Sequence, residues 1–261
     1  MRRRLLRRPL LTKDKGWPEG VARHALASVD STMNEAARLA PGLSGPAWIF
    51  ARVQTAARGR RGRAWRAPEG NFSATLVMRP EGGLPQAALY SFVAALALEA
   101  ALSHVAGPHA RFAIKWPNDV LLDGGKIAGI LLETLGQGAQ LKLAIGIGVN
   151  LAQTPAPETL EREAMQPVNL AQQTGMQVTP EDFLPILAQA FDHYDQQFRD
   201  YGFDAIRNAW LARAARLGEQ ITARVGSQTH HGIFETIDHS GALILREQQG
   251  TRAIAAADIF F

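Results

Sequence analysis

From residue 21 onward, apolar and polar positions alternate with the two-residue period of strands and then switch to the wider spacing of helices. Segments 23–29, 47–54 and 71–79 read as strands. Ser31 or Thr32 caps a helix to about residue 40, with Glu35 three positions beyond Thr32 in a capping-box pattern. A long apolar helix spans 86–104, followed by strands at 111–116, 119–122, 126–133 and 140–149. Pro155, Pro157 and Pro167 mark a surface connection. A second helical block starts at Thr179, with Pro180 at the first helical position and Asp182 at the box position, and runs through two helices to about Arg216. After Gly218 four short strands, 220–225, 230–238, 242–247 and 251–260, predict a small barrel. The pattern describes an α+β protein: a flexible basic arm (1–20), a mixed sheet with flanking helices (21–217) and a small β domain (218–261).

Composition narrows this picture. A chain of 261 residues allows one large and one small domain at roughly 100–200 residues each. The most apolar run, Ala87 to Leu102, carries Ser91 and Glu99 and falls short of the ~20 residues of a membrane span, so it reads as a buried helix, with no membrane partner. The absence of cysteine excludes disulfide scaffolds, zinc fingers, iron–sulfur ligation and thiol catalysis, and agrees with a cytoplasmic location. The net charge of +4 is unevenly spread. Residues 1–20 hold seven Lys/Arg against two acids and 58–66 hold five arginines and no acid, which leaves −6 for the remainder. Two basic islands on an acidic body are not the even basic face of a duplex binder. The arm reads as a solvated tail. Leu5, Leu6, Leu10 and Leu11 are interrupted by Arg7, Arg8 and Pro9, against a secretory signal, and its lack of serine argues against a transit peptide.

Several attractive patterns fail. Gly125-Lys126 lacks the Ser/Thr and upstream glycine of a P-loop, Gly146-Ile147-Gly148 has Leu151 where a dinucleotide fingerprint needs Gly or Ala, and His230-His231 has no metal-ligand spacing. Three segments survive. In Gln54 to Trp65, bidentate guanidinium forks suit phosphate or carboxylate, Gly59 and Gly62 allow close backbone approach, and Trp65 offers an apolar wall; like charges here should repel and leave the loop mobile without an anion. In Lys115-Trp116-Pro117-Asn118-Asp119 and Gly125-Lys126-Ile127-Ala128-Gly129, two lysines and an aspartate lie among apolar strands, either as a plain ion pair or as a charged site for substrate and metal. In Ile145 to Asn150, alternation sets Gly146 and Gly148 on one strand face, a slot for a helix or a ring-shaped ligand that Gly129 extends.

Together, Ser31-Thr32, the Arg/Gly loop, Lys-Trp-Pro-Asn-Asp, Gly-Lys-Ile-Ala-Gly and Gly-Ile-Gly-Val-Asn resemble the biotin protein ligase family, in order and spacing, over nearly the whole chain after the arm. The resemblance implies a class II synthetase/biotin ligase type of fold with a C-terminal SH3-like barrel. It implies a two-step reaction in which biotin and ATP, with Mg²⁺, give biotinyl-5′-adenylate, and the biotinyl group passes to one lysine of a biotin carboxyl carrier domain, typically of acetyl-CoA carboxylase. It further implies catalytic roles for Lys126 and Arg60, biotin or adenylate contacts from Ser31, Thr32, Asn34, Gln54, Arg58, Gly59, Arg63, Trp65, Gly129, Gly146 and Asn150, and Asp119 as a weak metal candidate. The family's Ser-Thr-Asn reads Ser31-Thr32-Met33-Asn34 here, leaving Met33 or Asn34 for the third role, and Ala57 stands where the family commonly has glycine. Only 30 residues precede Ser31, fewer than a winged-helix domain needs, so the expectation is a monofunctional ligase without specific DNA binding; a homodimer is left open. The alternatives are a lipoate–protein ligase of the same fold and, more remotely, a non-catalytic nucleic-acid-binding protein.

Overall fold

The computed structural model describes residues 16–155 and 165–261. Most of the expected basic arm, and Pro157, lie outside the described residues. Seven strands form the main sheet in the order β1-β2-β3-β7-β6-β5-β4: β1 (Ala22–Val29), β2 (Ala47–Gln54), β3 (Phe72–Met78), β4 (Phe112–Lys115), β5 (Asp119–Leu122), β6 (Gly125–Leu135) and β7 (Lys142–Val149). Only β1 and β2 run parallel, so the sheet is mixed. A parallel pair needs a crossover. Helix α1 (Thr32–Leu39) supplies it, packing Met33 and Ala36 with Ile49, Val77 and Ala144 in a small cluster of their own.

The opposite face is covered by α3 (Tyr90–Ala106), after the short α2 (Leu84–Ala87), and by α5 (Pro180–Leu211), which follows α4 (Leu170–Thr174). α3 is buried on every side over 92–98, as expected of the 87–102 run, and its polar Glu99, Ser103 and His104 fall in the less buried C-terminal half. Leu84–Ala106 is the one helical stretch among the described residues long and apolar enough to cross a membrane; most of it is buried inside the protein. α5 breaks at Gly202 (φ 70°), which accounts for the two helices read from the sequence. Its N-cap Thr179 accepts from the Asp182 amide (3.1 Å), while Thr179 Oγ1 donates to the Asp182 carboxylate (2.6 Å). The start of α1 takes one of the two expected caps but not the capping box. Ser31, not Thr32, is the N-cap, accepting from Met33 N–H at 3.2 Å, and Glu35 pairs with Arg38 instead of closing a box, because Thr32 is drawn inward to Gln54.

The second sheet is antiparallel, with five strands in the order β11-β10-β9-β8-β12: β8 (Gln220–Val225), β9 (Gln228–Ile237), β10 (Leu243–Glu247), β11 (Gly250–Ile254) and β12 (Asp258–Phe260). The single strand expected over 251–260 is thus two, separated by the turn at 255–257. This sheet shares the main core through Phe234, Leu243 and Ile259, with Phe234 edge-on to Trp210 of α5.

Candidate active site

A cavity of about 720 Å³ opens where the ends of β2, β6 and β7 meet the Arg/Gly loop and β12. Its floor follows from glycine. Gly146 and Gly148 share one face of β7, and residues from elsewhere fill the space a side chain would take: a β-carbon at Gly146 would stand 2.7 Å from Met33 Sδ, and one at Gly148 2.5 Å from the Trp65 ring. The expected slot therefore holds the chain's own ring, which meets both Gly148 and Gly129.

Lys126 reaches this floor through a β-bulge. Val120 pairs with Ala128 but Leu121 pairs with Lys126, so Ile127 is the extra residue. Simple alternation puts Lys126 and Gly129 on opposite faces; the bulge returns them to one, with Lys126 Cε 3.5 Å from a β-carbon at Gly129. Lys126 Nζ lies 2.8 Å from Asp119 Oδ1, an ion pair off hydrogen-bond geometry, and 5.7 Å from the Trp65 ring centre. Lys115, paired with Asp119 across the β4–β5 hairpin, adds a second ammonium. Burial pulls its pKa down, opposed by the Asp119 charge and reinforced by Lys126.

Thr32 and Gln54 close one end. Gln54 Oε1 accepts from Thr32 N–H (2.7 Å) and Oγ1 (3.1 Å), and Thr75 Oγ1 donates to Thr32 Oγ1 (2.9 Å). Asn150 donates to Val168 O (3.1 Å). Among the described residues, Asn150 Oδ1 and Trp65 Nε1 are buried in the cavity wall without a hydrogen-bond partner, an orphan acceptor and an orphan donor at one site.

The Arg/Gly loop folds back on itself, Gly59 N–H donating to Arg63 O (2.7 Å) and Trp65 N–H to Ala57 O (3.0 Å). Carboxylates from outside the loop offset its expected self-repulsion. Arg58 forks onto Glu133 (2.8 and 3.3 Å) and bonds Asn34; Arg61 and Arg63 both reach Asp258 Oδ2 (2.5 and 3.2 Å). Arg60 turns to the neutral Asn118 Oδ1 (3.2 Å), and burial lowers its pKa against the Asp258 field.

The structure brings Ser31, Thr32, Gln54, Arg58, Gly59, Arg60, Arg63, Trp65, Lys126, Gly129, Gly146, Asn150 and Asp119 around one cavity. Asn34 is placed elsewhere. Its side chain joins Asp30 (2.7 Å) and Arg58 behind the loop, and Met33 stands in the wall instead, because helical geometry turns the residue after Thr32 toward β7. The sequence reading missed Asp258, whose signal was a lone acid among Ala257, Ile259 and Phe260. Among the described residues no three His, Cys, Asp or Glu cluster as a metal cage.

Two family models match: the biotin/lipoate A/B protein ligase family over residues 25–150 and the biotin protein ligase C-terminal domain over 217–261. A solved biotin protein ligase from Aquifex aeolicus, in complex with biotin and ATP, aligns with a TM-score of 0.79 at 24% identity over 92% of this chain and 98% of that one, which shows the fold. The bifunctional ligase/repressor of Bacillus subtilis is 33% identical over 81% of this chain, which spans 65% of its length. A biotin–[acetyl-CoA-carboxylase] ligase from Paracoccus denitrificans is 60% identical over 90% of this chain and 99% of its own length, and with that likeness the chain belongs to the biotin protein ligase family.

Proposed function

We propose that this chain is an ATP-dependent biotin protein ligase that works in two steps in the cavity described above. In the first step a biotin carboxylate oxygen bonds to the α-phosphorus of ATP and the bond to pyrophosphate breaks. In the second, a lysine amine of a biotin carboxyl carrier domain attacks the biotinyl carbonyl, AMP leaves with the bonding pair, and the amine loses a proton. The observation that carries this reading is the juxtaposition of Lys126, Lys115 and Asp119 with the Trp65 wall beneath the arginine loop: fixed positive charge beside an apolar surface. The first step brings two anions together, so positive groups held in place before reaction lower its barrier. A volume of about 720 Å³ lies within the range of small-molecule sites.

In this reading Lys126 and Arg60 stabilise charge at the reacting carboxylate and α-phosphate. Ser31, Thr32 and Gln54 meet the ureido ring, the orphan Asn150 Oδ1 accepts from the ligand and Trp65 Nε1 donates to it, and Arg58 and Arg63 close over the adenylate. Mg²⁺ supplies charge neutralisation to the triphosphate when bound. The residues present suit an ion held mainly by phosphate oxygens, with Asp119 the carboxylate at hand. Residues 218–261 form the second domain of the proposal, an SH3-like barrel contributing a wall to the site. The carrier domain of acetyl-CoA carboxylase as acceptor, a cytoplasmic location and a homodimer belong to the same proposal. The test is pyrophosphate release from ATP on adding biotin or lipoate. Biotin should support it and lipoate should not; release with lipoate alone overturns the reading.

A further inference from the structure

The C-terminal sheet carries a residue that nothing in the family motifs points to. Asp258 lies at the start of β12, fixed on both sides: Ala257 is fully buried, Ile259 is 6% exposed, and the strand pairs with β8 through Asp258 and Arg224. Its carboxylate is the meeting point of two loop arginines that lie 195 and 197 positions earlier in the chain. Arg61 lies outside the cavity lining, whereas Arg58, Arg60 and Arg63 belong to it. Arg61 also has left-handed backbone angles (φ 57°, ψ 26°), followed by Gly62 at φ 73°, a conformation that costs a non-glycine residue free energy and persists where surrounding contacts enforce it. The only side-chain hydrogen bond Arg61 makes among the described residues is the one to Asp258, at 2.5 Å.

We infer that Asp258 is a positioning residue that latches the arginine loop to the C-terminal sheet, so that the loop stays closed over the activated intermediate. Three of the loop's arginines divide the work: Arg61 fastens the tip, Arg63 shares the fastening, and Arg60 remains turned into the site. A latch serves the reaction because an acyl-adenylate that escapes is lost to water or to bystander amines before the carrier lysine arrives. This rests on the ligase reading above.

The experiment compares wild type, Asp258→Asn, Asp258→Glu, Arg61→Gln and the Asp258→Asn/Arg61→Gln double variant, all as the full chain. The release rate of preformed biotinyl-5′-adenylate is measured by dilution into unlabelled ligand, and amide exchange at 58–66 is followed without ligand. An exposed-to-half-buried ion pair is worth up to about fivefold in an equilibrium, so Asp258→Asn should speed both release and exchange by about that factor at unchanged melting temperature. Asp258→Glu should restore part of the effect, and the double variant should add little to either single one. Unchanged exchange, fully additive effects, or slower release in Asp258→Asn, the mark of a carboxylate that competes with phosphate, would overturn the latch. If the wild type forms no adenylate the ligase reading fails, and the ligand-free exchange still decides the latch.

Discussion

Gly148→Ala tests whether Trp65 packs as described, and its neighbour Gly129 supplies the control. The two glycines face each other across β6 and β7 and both meet the indole ring. A β-carbon at 148 would lie 2.5 Å from ring atoms Cε2 and Nε1 and 2.8 Å from Cζ2, about 1 Å inside an ordinary carbon contact. At 129 the nearest ring atom is 3.4 Å away, and Lys126 Cε and Asp119 Oδ1 follow at 3.5 and 3.6 Å. Overpacking of the first kind costs about 1–3 kcal/mol, while replacing glycine by alanine in an extended strand recovers about 0.4–1 kcal/mol from the unfolded chain. Gly148→Ala should therefore lose about 1–2 kcal/mol net, or displace the ring at a similar cost, while Gly129→Ala should be neutral or slightly stabilised. Because Trp65 N–H is bonded to Ala57 O, a displaced ring drags the arginine loop with it, and adenylate formation should fall by about tenfold, the equivalent of 1.4 kcal/mol. Urea melts of both variants and single-turnover adenylate formation measure the two effects. Equal stability loss in the two variants, or a fully stable and active Gly148→Ala, would refute the packing.

Lys126→Ala should lower single-turnover adenylate formation by about 10²–10³-fold, the usual cost of removing a fixed charge from a developing oxyanion, with the melting curve little changed; an unchanged rate removes Lys126 from the chemistry. Lys115 is held below its ordinary pKa by burial, and an anionic ligand beside it restores its proton affinity. Binding of biotin and ATP should therefore take up protons at alkaline pH and weaken as pH rises through the free-state pKa, as calorimetry in buffers of different ionisation enthalpy will register. Lys115→Met should abolish the uptake. Burial in the α3–α5 interface raises the pKa of Asp195 above the ordinary carboxylate value, opposed by Arg199 at 3.3 Å. A raised carboxylate contributes stability that is present below the unfolded-state pKa and lost as pH rises through the folded one; urea melts across that range should show this slope, and Asp195→Asn should flatten it.

Strands and helices were legible from runs and periods alike: β3, buried on both faces, read as a mostly apolar run, and the amphipathic α1 as a capped helix. The two charged motifs could be placed together for a local reason, since Lys-Trp-Pro-Asn-Asp makes the β4–β5 turn and Gly-Lys-Ile-Ala-Gly opens β6, the next strand of the same meander. What alternation could not carry was the bulge at Ile127. One inserted residue moves Lys126 to the face of Gly129, and nothing in residues 119–129 announces it. The occupant of the Gly148 slot was equally hidden, because Trp65 reaches it from 83 positions away through a loop whose path is set by tertiary contacts. The choice between Met33 and Asn34 stayed open in the sequence because it turns on helix phase, which sets Met33 in the cavity wall and Asn34 against Asp30 and Arg58, and Asp258 was missed because its partners lie 195 and 197 positions away.

Charge closes the account of how the loop works. Among the described residues, Arg58 pairs with Glu133, Arg61 and Arg63 share Asp258, and Arg60 donates to the neutral Asn118. An entering phosphate meets Arg60 without first breaking an ion pair, whereas Arg58 must exchange one carboxylate for another anion at little net gain. The cavity floor then holds Arg60, Lys115 and Lys126 against Asp119, and the rest of the lining adds Arg58, Arg63, Arg66 and Arg224 against Asp258, so positive charge is in excess. That excess attracts biotin's carboxylate and the triphosphate. Once pyrophosphate departs, most of the negative charge has left, and the remaining acyl phosphate carries a single one. Electrostatic attraction is therefore strongest for the reactants and weaker for the intermediate. Retaining the adenylate until a carrier lysine arrives falls instead to shape and closure, to the Trp65 wall and to the contact between Arg61 and Asp258 that keeps the loop in place.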